Sequence, residues 1–348
     1  MSATETARAE HHSLPDVPAG SLAETPDGVR ALEARVGHDA RRLKLDREGA
    51  AALLNALRAS GPVVTRVANR AALHRTSGPL EEIQIHGAMG QVVGPIDLRL
   101  FLAEWRAAYA LAPVSGGRSI QVVDPRGRPV IEIAASDATD LSAWDGAIAP
   151  WILPDHEAPS FELPPVVADR PDDAIDVAGL RAAWAEIEHS HDFFGLLRRF
   201  GVAREQALRL GGPAFARQVD SAMAARVCAG AGREGVRLMC FVGTAGCLQI
   251  YSGGIDSVEV DGAALSVLGN GFSLDLALDR VARAWVVVKP TRLRGRITSV
   301  ELYDSSGMQV CQFFGARRPG ERENPAWRAV IEDAMSGGAG MEQAGATG

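Results

Sequence analysis

Long apolar runs are missing from these 348 residues. No stretch approaches the roughly 18 to 20 consecutive apolar residues that a membrane-spanning helix requires. Residues 1–13 are polar, with no apolar core behind a basic stretch. The sequence therefore predicts a cytoplasmic protein, neither exported nor membrane-embedded. An excess of positive charge is also missing, since 36 Lys and Arg stand against 43 Asp and Glu for a formal net charge of -7. Proteins that gain affinity by neutralising phosphates need the opposite balance, so no nucleic-acid partner is expected, although a local basic pocket can still receive an anionic small molecule. Cysteine is scarce and confined to the second half, as Cys228, Cys240, Cys247 and Cys311. None forms a CxxC pair or stands beside a histidine at zinc-ligand spacing, and buried reduced thiols are expected.

What is present suffices for a sizeable core, with 47% hydrophobic residues in a chain long enough for one large domain or two ordinary ones. Residues 1–28 lack apolar periodicity and 336–348 read SGGAGMEQAGATG, so both ends are expected to be tails. Pro154, Pro159, Pro164, Pro165 and Pro171 suppress helix and ladder pairing alike. This predicts a linker at 154–173 between an N-terminal module, 29–153, and a C-terminal module, 174–335.

The two modules repeat one another. Asn69, Gly78 and Gly87 stand nine residues apart, and Thr244, Gly253 and Gly262 keep the same steps. IDLR at 96–99 then matches LDLA at 274–277, each leading towards a tryptophan, Trp105 or Trp285. GRSIQVVDPRG at 117–127 matches GRITSVELYDSSG at 295–307, and Asp124–Gly127 and Asp304–Gly307 have the residues of tight hairpin turns.

Alternating, β-branched segments at 120–123, 130–133, 248–251, 257–260 and 298–303 predict half-buried strands. Helices are expected where Asp46 precedes Leu53, Leu54 and Leu57, and where Asp97 precedes Leu98, Phe101, Leu102, Trp105 and Tyr109. Two further apolar stripes join Val177, Leu180, Trp184 and Ile187, and Val219, Met223 and Val227. Strands that follow one another through hairpins give an α+β class. The expected architecture is a tandem structural repeat with two large antiparallel β-sheets flanked by helices, one sheet per module.

Chemistry concentrates in HSHDFFGLLRRFGVAREQALRL at 189–210. A neutral imidazole at His191, at a helix start beside Phe193 and Phe194, can coordinate haem iron while the rings cover the porphyrin face. The same imidazole can equally cap the helix or pack against it. Arg198, Arg199, Arg204 and Arg209 can likewise be an ordinary solvated face.

This segment resembles the signature of the bacterial haem-degrading and haem-trafficking proteins of the HemS/ChuS/HmuS family, the hemin-degrading factors. FVGTAGCLQIYSG at 241–253, AWVVVKPT at 284–291 and QFFGARRPGERENPAWR at 312–328 are similar to further stretches of that family, as is GPIDLRLFLAEW at 94–105. The resemblance implies that His191 is the proximal ligand of one haem b lodged between the modules, and that Arg99 reaches the opposite face. It implies Arg204, Lys289 and Arg317 as partners of the propionates, with Gln312 near the pocket. A permanently charged guanidinium can hold an iron-bound small molecule without ligating the metal, so His191 and Arg99 are the catalytic candidates. Some stretches depart from the family pattern: TRVAN at 65–69, Ile250-Tyr251, Leu274-Asp275-Leu276, and His189, a competing imidazole. None removes an implied ligand.

The implied activity is oxidative opening of the haem ring at a meso carbon with release of iron. A haem ABC importer and an electron donor are the implied partners, and the chain is expected as a monomer or dimer. A non-enzymatic haem carrier predicts the same residues, and a duplicated structural module with only the architecture in common remains a third reading.

Overall fold

The computed structural model describes residues 26–45, 47–112, 117–154, 159–161, 169–292, 295–318 and 320–344. Among them the strands form two antiparallel sheets of nine. One sheet runs in the order β1 (Ala40–Leu43), β7 (Ala107–Leu111), β8 (Ser119–Val123), β9 (Pro129–Ala135), β2 (Val63–Ala68), β3 (Ala72–Gly78), β15 (Phe272–Ala277), β14 (Ala264–Gly269) and β13 (Ser257–Asp261). The other runs β10 (Ala216–Val219), β16 (Arg283–Thr291), β17 (Gly295–Tyr303), β18 (Gln309–Gly315), β11 (Leu238–Gly243), β12 (Cys247–Gly253), β6 (Asp97–Phe101), β5 (Met89–Val93) and β4 (Glu82–His86). The expected α+β class, tandem repeat and two large sheets are all present.

One sheet per module is not. Each sheet takes six strands from one half of the sequence and three from the other. β12 pairs with β6, setting Leu248 opposite Arg99, and β15 pairs with β3, setting Leu274 opposite His74. An open strand edge is an unsatisfied ladder. Here the exposed side of each long hairpin is closed by strands of the other repeat, which local periodicity cannot reveal.

The chain packs as two units. The first comprises Met1–Pro164, Val242–Tyr251 and Gly271–Leu276; the second comprises Pro165–Phe241, Ser252–Asn270 and Ala277–Gly348. In the first, α2 (Arg47–Leu57) buries Leu53, Leu54 and Leu57, while its expected cap Asp46 lies outside the described residues, and α3 (Leu141–Ile148) buries Trp144. The segment after Asp97 is not a helix. Leu98 and Leu100 are buried while Asp97, Arg99 and Phe101 are half-buried, so a period of two prevails over the coincidental helical spacing. It gives β6, a 3-10 turn at Leu102–Glu104 and β7. The two tryptophans are consequently not equivalent: Trp105 follows the 3-10 turn, whereas Trp285 lies inside β16.

In the second unit α4 (Val177–Ala185) buries Leu180 and Trp184 as its stripe requires, with Ile187 beyond its end. Met223 and Val227 are buried in α7 (Met223–Arg233), but Val219 ends β10 instead. Thr298 to Tyr303 are buried without alternation, so β17 is covered on both faces. Both hairpin turns form as expected. Gly127 N–H donates to the Asp124 carbonyl and Gly307 N–H to that of Asp304, at φ of +75° and +80°. Each aspartate also accepts two backbone N–H bonds from its own turn.

The expected tail at 1–28 lies mostly outside the described residues, and α1 (Pro26–Arg35) begins inside it. At the other end α8 (Pro325–Ala344) continues through the expected tail to Ala344. Residues 155–158 and 162–168 of the expected linker lie outside the described residues. All four cysteines are buried and free, and burial pushes the Cys228 thiol up to about 12. No helix among the described residues is long and apolar enough to cross a membrane.

Candidate functional site

α5 (Asp192–Phe200) places the residue on which the sequence reading turns. Phe193, Leu196 and Leu197 are buried along one stripe, with Phe200 packed behind them. Arg198 and Arg199 fall in the last turn, where the helix dipole favours cations. Gly201 closes the helix in the left-handed region at φ +57°, where a side chain would be strained, and its N–H reaches the carbonyls of Leu197 and Arg198. At the other end the Asp192 carboxylate accepts from the backbone N–H groups of His189 (2.7 Å) and Glu188 (3.2 Å), bracing the turn before the helix.

His191 is the N-cap residue of this helix. Its side chain makes no capping hydrogen bond and it is exposed. It does not cap the helix, the first of the two bland readings of the sequence. His189 is half-buried. Of the two phenylalanines, Phe194 is 60% exposed and Phe193 not at all. Phe193 packs on Trp184, with ring centroids 4.5 Å apart, and anchors α5 to the core.

Beneath Phe193 lies a buried ionic cluster. Glu301 on β17 is fully buried and accepts both arms of Arg204, the first residue of α6 (Arg204–Gly211), at 2.9 and 2.8 Å. Lys289 on β16 donates to the same carboxylate at 3.2 Å, Ser299 at 3.0 Å, Tyr303 at 2.8 Å and Gln309 at 3.3 Å. The Arg204 guanidinium and the Lys289 ammonium both lie over the Phe193 ring, 5.2 and 5.0 Å from its centroid. Arg204 also faces the exposed Phe194 at 5.6 Å, and Lys289 faces Phe314 at 5.5 Å. Burial alone would raise the Glu301 carboxyl, but the charges of Arg204 and Lys289 and the hydrogen bonds from Arg204 and Tyr303 outweigh it and hold it well below the usual carboxylate range. Burial, opposed by Glu301 and assisted by the Arg204 and Arg317 charges, pushes Lys289 down to about 8. Two cations on one carboxylate leave the group positive, which suits it to further anionic oxygens.

Arg317, just beyond β18, is half-buried and close enough for its charge to act on Lys289. Gln312, half-buried on β18, stands opposite Glu301 on one side and Phe241 on the other. Thus α5, α6, β16 and β17 bring Phe193, Phe194, Arg204 and Lys289 together, and His191 stands two residues before Phe193 at the start of α5. Arg99 belongs to the first unit. It sits on β6 with its side chain about one-third exposed, donating to the Asp97 carboxylate and, at 3.0 Å, to the Leu98 carbonyl.

Residues 27–151 and 201–334 match the family described as Haemin-degrading HemS.ChuX domain. The chain belongs to this haemin-degrading family. It is 35% identical over 334 residues to the hemin transport protein HmuS of Yersinia pestis, covering 93% of this chain and 94% of that one. Against the hemin transport protein HemS of Yersinia enterocolitica identity is 36%, over 85% and 86% of the two chains. The crystal structure of holo-PhuS, a heme-binding protein from Pseudomonas aeruginosa, superposes with a TM-score of 0.84 at 36% identity, covering 95% of this chain and 96% of that one. ChuS, an E. coli heme oxygenase, gives a TM-score of 0.79 at 31% identity, over 88% and 92%.

Within this HemS-type fold the sequence reading missed Glu301. Its VELYD context looks like a half-exposed strand, where a glutamate needs no partner. A signal was present in Tyr303 and Ser299, two residues either side on the same face, both able to bond a buried carboxylate.

Proposed function

We propose that this chain binds one haem through its C-terminal module and opens the ring to release iron, as part of a bacterial haem-uptake route. The observation that carries the reading is His191: an exposed imidazole with no capping duty, on a helix seated over a net-cationic cluster. The donor set fits a porphyrin. The macrocycle brings four of the iron's ligands itself, so one imidazole completes the proximal side. Arg204, Lys289 and Arg317 suit the propionates, whose burial is costly unless they are paired. Phe194 offers an exposed ring for the macrocycle, Phe193 fixes the helix that presents His191, and Gln312 supplies a neutral amide beside them.

Haem supplies the oxidative chemistry once an electron donor and dioxygen are present. The chain's part would be to ligate the iron at the His191 imidazole, orient the propionates through its cations and offer the Arg99 guanidinium as a permanently charged hydrogen-bond donor. Arg99 is already held by Asp97, which restricts its swing. The names of the relatives support two readings, since ChuS is called a heme oxygenase and HmuS a hemin transport protein. Cytoplasmic haem transfer to a separate oxygenase uses the same residues.

Turnover separates the two. Anaerobically prepared holoprotein, given a reductant and oxygen in the presence of catalase, loses its Soret band and liberates chelatable iron if it is an enzyme. An unchanged Soret band, with haem passing intact to an apo-acceptor, makes it a carrier.

A further inference from the structure

We propose that Glu301 is a positioning residue for haem: a built-in counter-ion that assembles Arg204 and Lys289 and keeps the Lys289 ammonium charged before the porphyrin carboxylates arrive. The inference deepens the proposed haem reading and rests on it.

The geometry is specific. One carboxylate with no solvent exposure gathers five side chains from two other strands, one helix and its own strand. Burying a carboxylate this thoroughly is costly unless its oxygens are satisfied, and Glu301 is satisfied on both. Its main consequence falls on the cations. Arg204 and Lys289 donate to the same Glu301 oxygen; without it the two cations would lie side by side with no counter-charge, and like charges in a buried site repel strongly.

Arg204 cannot lose its charge, but Lys289 can. Lys289 is 3% exposed. The charged and titratable groups that face it are Glu301 from β17, Arg204 from α6 and Arg317 from beyond β18, with Tyr303 bonded to the same carboxylate. Only Glu301 favours the ammonium form. The Phe193 and Phe314 rings also lie against its ammonium, 5.0 and 5.5 Å from it. Glu301 therefore decides whether the site presents two positive charges or one, and it holds the Arg204 fork against Tyr303. The cluster also touches Phe193, two residues from His191, so the same carboxylate couples propionate recognition to the seating of the ligand-bearing helix.

The test compares hemin with hemin dimethyl ester, which lacks the propionate charges, by Soret titration between pH 6 and 9.5 with the full chain. For the wild type, the preference for hemin over the diester declines as pH rises through about 8, while Lys289 loses its proton. In Glu301→Gln the decline moves to lower pH by at least about one unit, so that the preference falls at least about twofold at pH 7 and at least about fivefold at pH 8, and is recovered towards pH 6. Glu301→Asp retains the charge and restores most of the wild-type profile. A Glu301→Gln protein that binds hemin more tightly at pH 7, or with an unmoved profile, overturns the proposal.

Because Glu301→Gln can fail to fold, Lys289→Met supplies an independent arm. It abolishes the decline near pH 8, and a decline that persists in Lys289→Met also overturns the proposal. Failure of the underlying haem reading looks different: wild-type protein then takes up neither hemin nor the diester stoichiometrically.

Discussion

The two halves of the chain lay down the same succession of strands and fill it with different charges. Across β8 and β9 Gln121 faces Glu132; across β17 and β18 the order is reversed, with Glu301 facing Gln312. Glu132 pairs with Arg66 at 3.0 Å, and both side chains keep about a fifth to a quarter of their surface in water. Glu301 keeps none and holds two cations. The second half also carries α4 and α5 ahead of residue 201, where its family match begins. The halves thus differ in charge at matching strands: the second buries a carboxylate in the sheet interior, and a helix with His191 at its N-cap stands ahead of its strands.

The sharpest way to break this contrast is to remove each carboxylate. Glu301→Ala strands two buried cations and should cost about 3–5 kcal/mol of stability, whereas Glu132→Ala, at a solvated pair, should cost less than about 1 kcal/mol. Comparable losses in denaturant titrations would erase the distinction. Next in size, His191→Ala should weaken hemin binding about 100-fold and displace the Soret band, as expected when iron loses its protein ligand, while His189→Ala changes affinity by no more than about threefold. Equal effects of the two would reassign the ligand.

Arg99→Ala should slow oxidative turnover about tenfold and alter affinity by no more than about threefold, the pattern of a group that acts after binding. Parallel losses in both, read from hemin titration and iron release, would make it a simple binding residue.

A smaller effect concerns the first unit and pH. Burial pushes the His74 imidazole down to about 3, from an ordinary value near 6.5. The unfolded chain therefore binds the extra proton first, and His74 contributes stability above pH 6.5 that is lost as pH falls from there towards 3. Replacing it with Gln should flatten that acid limb in pH-dependent unfolding; an unaltered slope would clear His74 of the role. Least of all, Arg66→Ala should leave hemin affinity within about twofold of wild type, since its counterpart position in the second half is Phe241.

Much of the fold was legible because local chemistry decides it. The Asp–Gly turns at 124–127 and 304–307, the alternating strands and the α4 stripe each depend on neighbouring residues alone. What escaped was non-local. The pairing of β12 with β6, and of β15 with β3, joins residues about 150 to 200 positions apart and can be satisfied by several partners of like pattern. Asp97 to Phe101 misled because five residues fit both a helical and an alternating period, and only the neighbouring strands decide between them. At the site, His191 stood out through its unusual company, and the exposure of Phe194 against the burial of Phe193 came only from the packing of α5 on Trp184. Glu301 stayed hidden because a strand covered on both faces reads like one covered on a single face until its partners are in place.

The most direct measurement is a stoichiometric hemin titration of the wild type beside His191→Ala and Arg66→Ala. One equivalent should saturate the wild type and Arg66→Ala with the same Soret band, and that tight equivalent should vanish in His191→Ala. A tight equivalent that survives the loss of His191 unchanged, or two equal sites in the wild type, would contradict the assignment of one haem to the His191 imidazole.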